Sequence, residues 1–227
     1  FTSGGTESDN LALWGVVCSR KGQSSHIITS SIEHHAVLKT CAFLTEHFDC
    51  SVTYLTVDSD GMIDPDDVKQ AIRNDTALIS IMHANNEVGT IEPVSEIASI
   101  ARENGVPFHV DAVQTVGHIP LDVNQLGVDL LSLSGHKFYG PKGIGALYVR
   151  KETPFAPPLR GGVQERDYRS GTENIPGIVG LGQAAVIAQH NMETEMRRLE
   201  KMRDALIRGL EEEIPGARLN GHRQSRL

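Results

Sequence analysis

The chain has 227 residues, a net charge of -8 and 39% hydrophobic residues, enough apolar material for one ordinary globular core. The acidic balance and the mixed-sign charges of Glu193 to Glu213 argue against a nucleic-acid partner. No apolar run reaches the roughly 18 residues of a membrane span, and no signal peptide is visible at the start.

Cys18, Cys41 and Cys50 are odd in number and irregularly spaced. They match free thiols in a reducing, cytoplasmic setting and fit no zinc pattern, so no metal is expected. The opening without Met, in a glycine turn that should follow a strand, and the close on Asn220-Gly-His-Arg-Gln-Ser-Arg-Leu227 read as a piece of a larger protein.

In chain order, Thr2-Ser-Gly-Gly-Thr-Glu-Ser-Asp-Asn10 leads into Leu11, Leu13, Trp14 and Val17, so a helix is expected from about Thr6. Its free N–H groups would face Gly4 and Gly5 and suit a phosphate, although a plain capped helix explains the same residues. His26 to Ser31 reads as a β-branched strand. At its end stands Ser31-Ile-Glu-His-His35, before the helical spacing of Val37, Leu38, Cys41 and Leu44. Adjacent histidines point apart, and His34, nearer the strand end, is the one expected at a site; a solvent-facing cap is its bland alternative.

Val52 to Val57 is a further strand, and Asp64 caps a helix that Pro65 opens and Ile63 staples onto Val68. Ala77 to Met82 is a strand that ends in His83-Ala-Asn-Asn-Glu-Val-Gly89, followed by a helix from about Pro93 to Asn104. The strand of Val106 to Gln114 brings Asp111 to a strand end, where a half-desolvated carboxylate needs a cation or several donors, unless it merely caps the next helix. Val128 to Leu133 is the strand before Ser134-Gly-His-Lys-Phe-Tyr-Gly-Pro-Lys-Gly143. Ile144 to Val149 turns back from it.

Lys137, between Gly135 and Gly140 at the mouth of an apolar strand, sits where desolvation activates an amine as a Schiff-base nucleophile. An exposed turn lysine is the alternative. From Lys151 to Gly171 the periodicity disappears into a long loop with Arg160, Arg166 and Arg169. After Asn174 and Pro176 a helical pattern runs to Pro215, long enough to bridge to a second domain.

Strand and helix alternate through residue 149, which predicts an α/β fold: a mostly parallel sheet with helices on both faces. Its carboxyl edge would gather Gly4 to Thr6, His34, Asn86, Asp111, Gln114 and Lys137. A phosphate cradle, a stacking ring, an acid for a pyridinium nitrogen and a buried lysine are together what pyridoxal phosphate chemistry asks of a protein.

Five ordered motifs also resemble those of cysteine desulfurases of the NifS and IscS type, class V members of the aminotransferase fold. They are Thr2 to Asn10, His83 to Gly89, His109 to Gln114, Ser134 to Gly143 and Arg169-Ser-Gly-Thr-Glu-Asn174. The resemblance implies a seven-stranded-type sheet in a pyridoxal 5'-phosphate-binding large domain over residues 1–176. It implies that residues 177–227 are a connecting helix and the start of a C-terminal small domain absent from the chain.

The same resemblance implies that Lys137 holds the cofactor and moves the substrate's α-proton, and that Asp111 pairs with the ring nitrogen. Gln114 would bond the phenolic oxygen, and His34 would stack on the ring. Gly5, Thr6, Ser134 and His136 would hold the phosphate, while Asn86 would bind the cofactor or the substrate carboxylate. Thr172 would reach the phosphate of the other subunit of a homodimer.

The implied reaction removes sulfur from L-cysteine, releases alanine and leaves a protein persulfide for a sulfur acceptor or scaffold protein, as in iron-sulfur cluster assembly. The persulfide Cys and the Arg for the substrate carboxylate lie in C-terminal motifs that this chain does not show, so the chain alone is expected to bind cofactor poorly and not to turn over. A selenocysteine lyase, another class V aminotransferase and a non-catalytic fragment are the alternatives.

Overall fold

A computed structural model describes all residues from Phe1 to Leu227. The elements in order are α1 (Gly5–Ser19), β1 (Ser25–Ser30), α2 (His35–His47), β2 (Cys50–Leu55), α3 (Pro65–Ala71) and β3 (Thr76–Met82). Then come α4 (Val94–Glu103), β4 (Phe108–Asp111), α5 (Val123–Leu126), β5 (Leu130–Ser134), β6 (Gly145–Val149) and α6 (Ile175–Glu213). The strands form one sheet in the order β2-β1-β3-β4-β5-β6, parallel throughout except for β6.

The sheet is buried on both faces, and this is why its strands read as unbroken apolar runs. Alternate residues supply the two sides. Ile28, Ile79, Ile81, Val110 and Leu131 pack with Val68 of α3 and Val94, Ile97 and Ala101 of α4. Ile27, Leu78 and Leu130 meet Leu13, Val16 and Val17 of α1 and Val37, Cys41 and Leu44 of α2. The N-cap of α3 is as its residues dictate: the Asp64 carboxylate accepts from Asp66 N at 2.9 Å, with Pro65 in the first turn.

Six strands are present where seven were expected. The seventh position, outside β6, is held by the single residue Thr2, whose N–H and C=O pair with Gly145 at 3.0 and 2.9 Å. Gly4, at φ 152, turns the chain from this bridge into α1. Gly145 sits so close beneath this turn that a Cβ on it would lie 2.6 Å from the Leu133 carbonyl oxygen and 2.8 Å from Gly4 Cα.

Two further features departed from the sequence pattern. The four-residue α5 is too short to show a period; Asp122 caps it by accepting from Asn124 N and Gln125 N, and Gly127 closes it in the left-handed region. The 39-residue α6 is as long as its pattern indicated, about 58 Å at 1.5 Å per residue, but only its first turns pack. Leu181 and Ala184 rest on Phe138 and Ile144, while Ile187, Leu199, Met202, Leu206 and Leu210 are exposed. After it the tail returns to the sheet, where Ile91 N donates to Ser225 O and His222 N to Thr90 Oγ1. No helix is long and apolar enough to cross a membrane.

Glu92, next to that tail contact, is buried, with Oε2 accepting from Ile63 N at 2.9 Å and Oε1 unpartnered. Burial pushes its carboxyl from 4.5 up to about 7. A raised carboxyl holds its proton longer in the folded state, so folding stability falls as pH rises from 4.5 to about 7.

Two predictions follow from these contacts. Gly145→Ala should cost about 1–3 kcal/mol in urea unfolding, because the new methyl meets backbone that has no room to yield. Glu92→Gln should flatten the pH dependence over that window and be the more stable protein at pH 8, by as much as ~3 kcal/mol if the full shift is expressed. A profile identical to the parent's would show that the Glu92 carboxyl is not held protonated.

Candidate active site

The parallel strands β1, β3, β4 and β5 end at one edge, and the chain leaves β1 for β2 on one side and returns to β3 on the other. That reversal opens a crevice at the carboxyl ends, the usual ligand position in open α/β sheets. A cavity of about 490 Å³ lies there. Nine of the ten expected site residues line it: Gly5, Thr6, His34, Asn86, Asp111, Gln114, Ser134, His136 and Lys137. They come from five separate chain segments, so it is the fold alone that brings them together.

One end of the cavity is the start of α1. No side chain caps this helix, and its first amides have no intrahelical acceptor. Gly4 takes a φ that favours glycine, and a Cβ on Gly5 would lie 2.6 Å from Val113 Cγ2. Next to it Ser134 Oγ lies 2.9 Å from His136 Nδ1. Free amides, a hydroxyl, an imidazole and the positive end of a helix dipole make an anion cradle.

Lys137 lies in a 3₁₀ turn over Gly135–Phe138 and is half-buried, not buried as the constellation implied; Gly135 and Phe138 go inside and leave the lysine on the cavity wall. Its backbone is fixed by His118, whose Nε2–H donates to the Lys137 carbonyl at 2.8 Å. Asp111 goes further than half-desolvation: it is 6% exposed, and Oδ1 accepts from Val113 N at 2.9 Å. Burial raises its carboxyl, while the Val113 bond, His34 and Lys137 pull it down.

His34 caps a helix and also borders the cavity. Its Nδ1 accepts from Ala36 N at 3.1 Å, capping α2, and the ring still lines the cavity. Accepting at Nδ1 leaves the ring proton on Nε2. Thr172 is the one expected residue placed elsewhere. It lines an adjoining 140 Å³ depression that shares Ser3 and Gly143 with the cavity wall. Its loop is anchored by Arg169, whose Nε donates to Glu7 Oε1 at 2.7 Å.

Several lining or supporting groups were not singled out from the sequence. Lys142 also faces the cavity. Asp9, one turn after Gly5 on α1, lies on its floor and is 1% exposed; the i, i+4 spacing from Gly5 was the available signal. Glu33 is buried across the crevice, with Oε1 accepting from Ser30 Oγ and Met82 N at 2.8 and 2.9 Å, so one carboxyl oxygen ties the ends of β1 and β3. Burial pushes Glu33 up to about 8. His109 is buried between Ser80 Oγ and Ser132 Oγ, and burial holds it neutral, down to about 3.

Taken together, the cavity offers an anion cradle, a carboxylate for a buried cation, a flat ring and a primary amine. These are the groups that a phosphate ester, a protonated pyridine nitrogen, an aromatic face and an aldehyde require, and pyridoxal phosphate carries all four. No group of three or more potential metal ligands occurs. Cys41 and Cys50 are buried in the core and Cys18 lies on α1, and none of the three lines the cavity. Burial raises all three thiols, Cys50 to about 11.

The comparisons with known proteins agree with this geometry. The chain is 57% identical over all 227 residues to a cysteine desulfurase IscS of Dictyoglomus turgidum and spans 57% of that protein's length. Among solved structures it is similar to SspA in complex with cysteine, at 50% identity and a TM-score of 0.77 over 81% of this chain and 53% of that one. It is also similar to DndA from Streptomyces lividans, at 38% identity and a TM-score of 0.90 over 99% and 64%. The family model Aminotransferase class-V matches residues 1–227, and with the sheet and the cavity as described the chain belongs to that family.

Proposed function

We propose that the protein bearing these residues is a pyridoxal phosphate-dependent cysteine desulfurase, which takes sulfur from L-cysteine and releases alanine. The observation that carries this reading is the convergence on one cavity of Lys137, Asp111, His34 and the open start of α1. The cysteine named with SspA and the desulfurase name of the 57% identical relative support the choice of substrate within the family.

When bound, pyridoxal phosphate supplies an electron sink for the Cα of an amino acid. In this reading Lys137 would hold the cofactor through its aldehyde, and its Nζ would be the base for the proton on the substrate Cα. Asp111 would pair with a protonated ring nitrogen, and its burial would make that ion pair worth more than in water. The α1 amides with Thr6, Ser134 and His136 would hold the phosphate, and His34 would stack on the ring. Gln114 would donate to the phenolic oxygen, and Asn86 would bind the cofactor or the substrate carboxylate.

The attacking thiolate comes from outside these 227 residues, since each of the three thiols present is raised and none reaches the cavity. We assign residues 1–176 to cofactor binding and residues 177–227 to a connection with a second domain; the exposed apolar residues of α6 support this. Thr172, outside its own cavity, fits a homodimer in which it reaches the partner's phosphate. The three free cysteines suit a cytoplasmic protein, and iron-sulfur cluster assembly is the proposed destination of the sulfur.

Incubation with pyridoxal phosphate should produce a visible absorbance band that Lys137→Ala lacks. Alanine release from L-cysteine by the whole protein should fall by roughly 10²–10⁴-fold from the lost proton transfer alone. If the two spectra coincide, Lys137 is not the cofactor's amine.

A further inference from the structure

Asp9 is a buried carboxyl that the proposed chemistry does not use. It lies on α1 with 1% of its surface exposed, lines the cavity floor, and has an unpartnered Oδ1. The groups that face it are His109 and Asp111 of β4, Ser132 of β5 and Glu33 from the turn after β1. None of them is a cation. His109 Nε2 is 3.8 Å from Oδ1, but that nitrogen already bonds Ser132 Oγ at 2.9 Å and the ring is neutral. Lys137, an amine on the cavity wall, acts on Asp111, and no lysine is among the groups that act on Asp9.

A charged carboxylate buried without a cation or a full set of donors is far too costly to persist, so such a group takes up a proton. Two carboxyls on one floor reinforce this, because a charge on either disfavours a charge on the other. Their surroundings then decide which is the acid. Asp111 has a backbone donor from Val113 and is pulled down by His34 and Lys137; Asp9 has an orphan oxygen, two carboxyl neighbours and only the Ser132 hydroxyl, shared with His109, to favour its charged form.

We propose that Asp9 is a positioning residue that stays protonated at neutral pH, so that Asp111 is the one anion of the cavity floor available to a cationic ring nitrogen. This rests on the pyridoxal phosphate reading of the cavity, but the protonation of Asp9 is measurable without cofactor. A neutral Asp9 leaves one negative charge where the ring nitrogen contributes one positive charge. Burial of Asp9 then pushes Asp9 well above the usual carboxylate range, in agreement with the geometry.

The test is infrared spectroscopy of the cofactor-free protein at neutral pH, with ¹³C-labelled aspartate to separate Asp from Glu33. A band of one protonated aspartic acid per chain should be present, be lost in Asp9→Asn and persist in Asp111→Asn. Loss in Asp111→Asn with retention in Asp9→Asn, or absence of the band from the parent protein, overturns the proposal. Should Asp9→Asn fail to fold, the Asp111→Asn spectrum decides alone. Adding pyridoxal phosphate should leave the band in place, and its disappearance on binding would also contradict the assignment. Failure of the visible cofactor band to form would instead reject the pyridoxal phosphate reading and leave the infrared result standing.

Discussion

The parallel pairing of β1, β3, β4 and β5 is the constraint on which the site depends. Parallel strands in register end on the same side, so Ser30, Met82, Asp111 and Ser134, far apart in the chain, become neighbours along one edge. The pairing continues past the strand ends, where His83 N donates to the Asp111 carbonyl at 2.8 Å and Ala112 N to the Ser132 carbonyl at 3.1 Å. Asp111 therefore hangs from backbone that is paired with a strand on each side. Burial of the sheet on both faces by α1 and α2 on one side and α3 and α4 on the other keeps the edge stiff.

Rigidity on this edge is combined with an unusual density of buried acid. Asp9, Glu33 and Asp111 sit within electrostatic reach of one another, and burial raises all three. Such a floor costs folding stability as pH rises and the protons are drawn off. It also holds a place where an incoming cation gains more than it would in water. Glu33 adds a mechanical role, because its single oxygen spans the crevice between β1 and β3 just before His34. The same residue thus fixes the chain that leads to the ring over the cavity.

Much of this was legible from the residues. The buried strands announce themselves as apolar runs, Asp64-Pro65 marks a helix start, and the polar clusters at the strand ends locate the edge. What escaped the pattern depended on distant packing. The burial of Asp9 is set by β4 and β5, not by its neighbours in the chain. His118 is an ordinary turn histidine until the 3₁₀ turn brings the Lys137 carbonyl to it. The half-exposed state of Lys137 follows from which faces of that turn are filled by Phe138 and Gly135. The return of residues 222–226 to Thr90 and Ile91 is a contact between segments more than a hundred residues apart, for which no local pattern exists.

Two amines, Lys137 and Lys142, line the cavity, and the account turns on the first. Borohydride reduction of the protein with bound pyridoxal phosphate, followed by peptide mapping by mass spectrometry, identifies the lysine that carries the cofactor. The account requires the pyridoxyl group on Lys137 in essentially every modified chain. A modification on Lys142, or one spread over surface lysines, would contradict it.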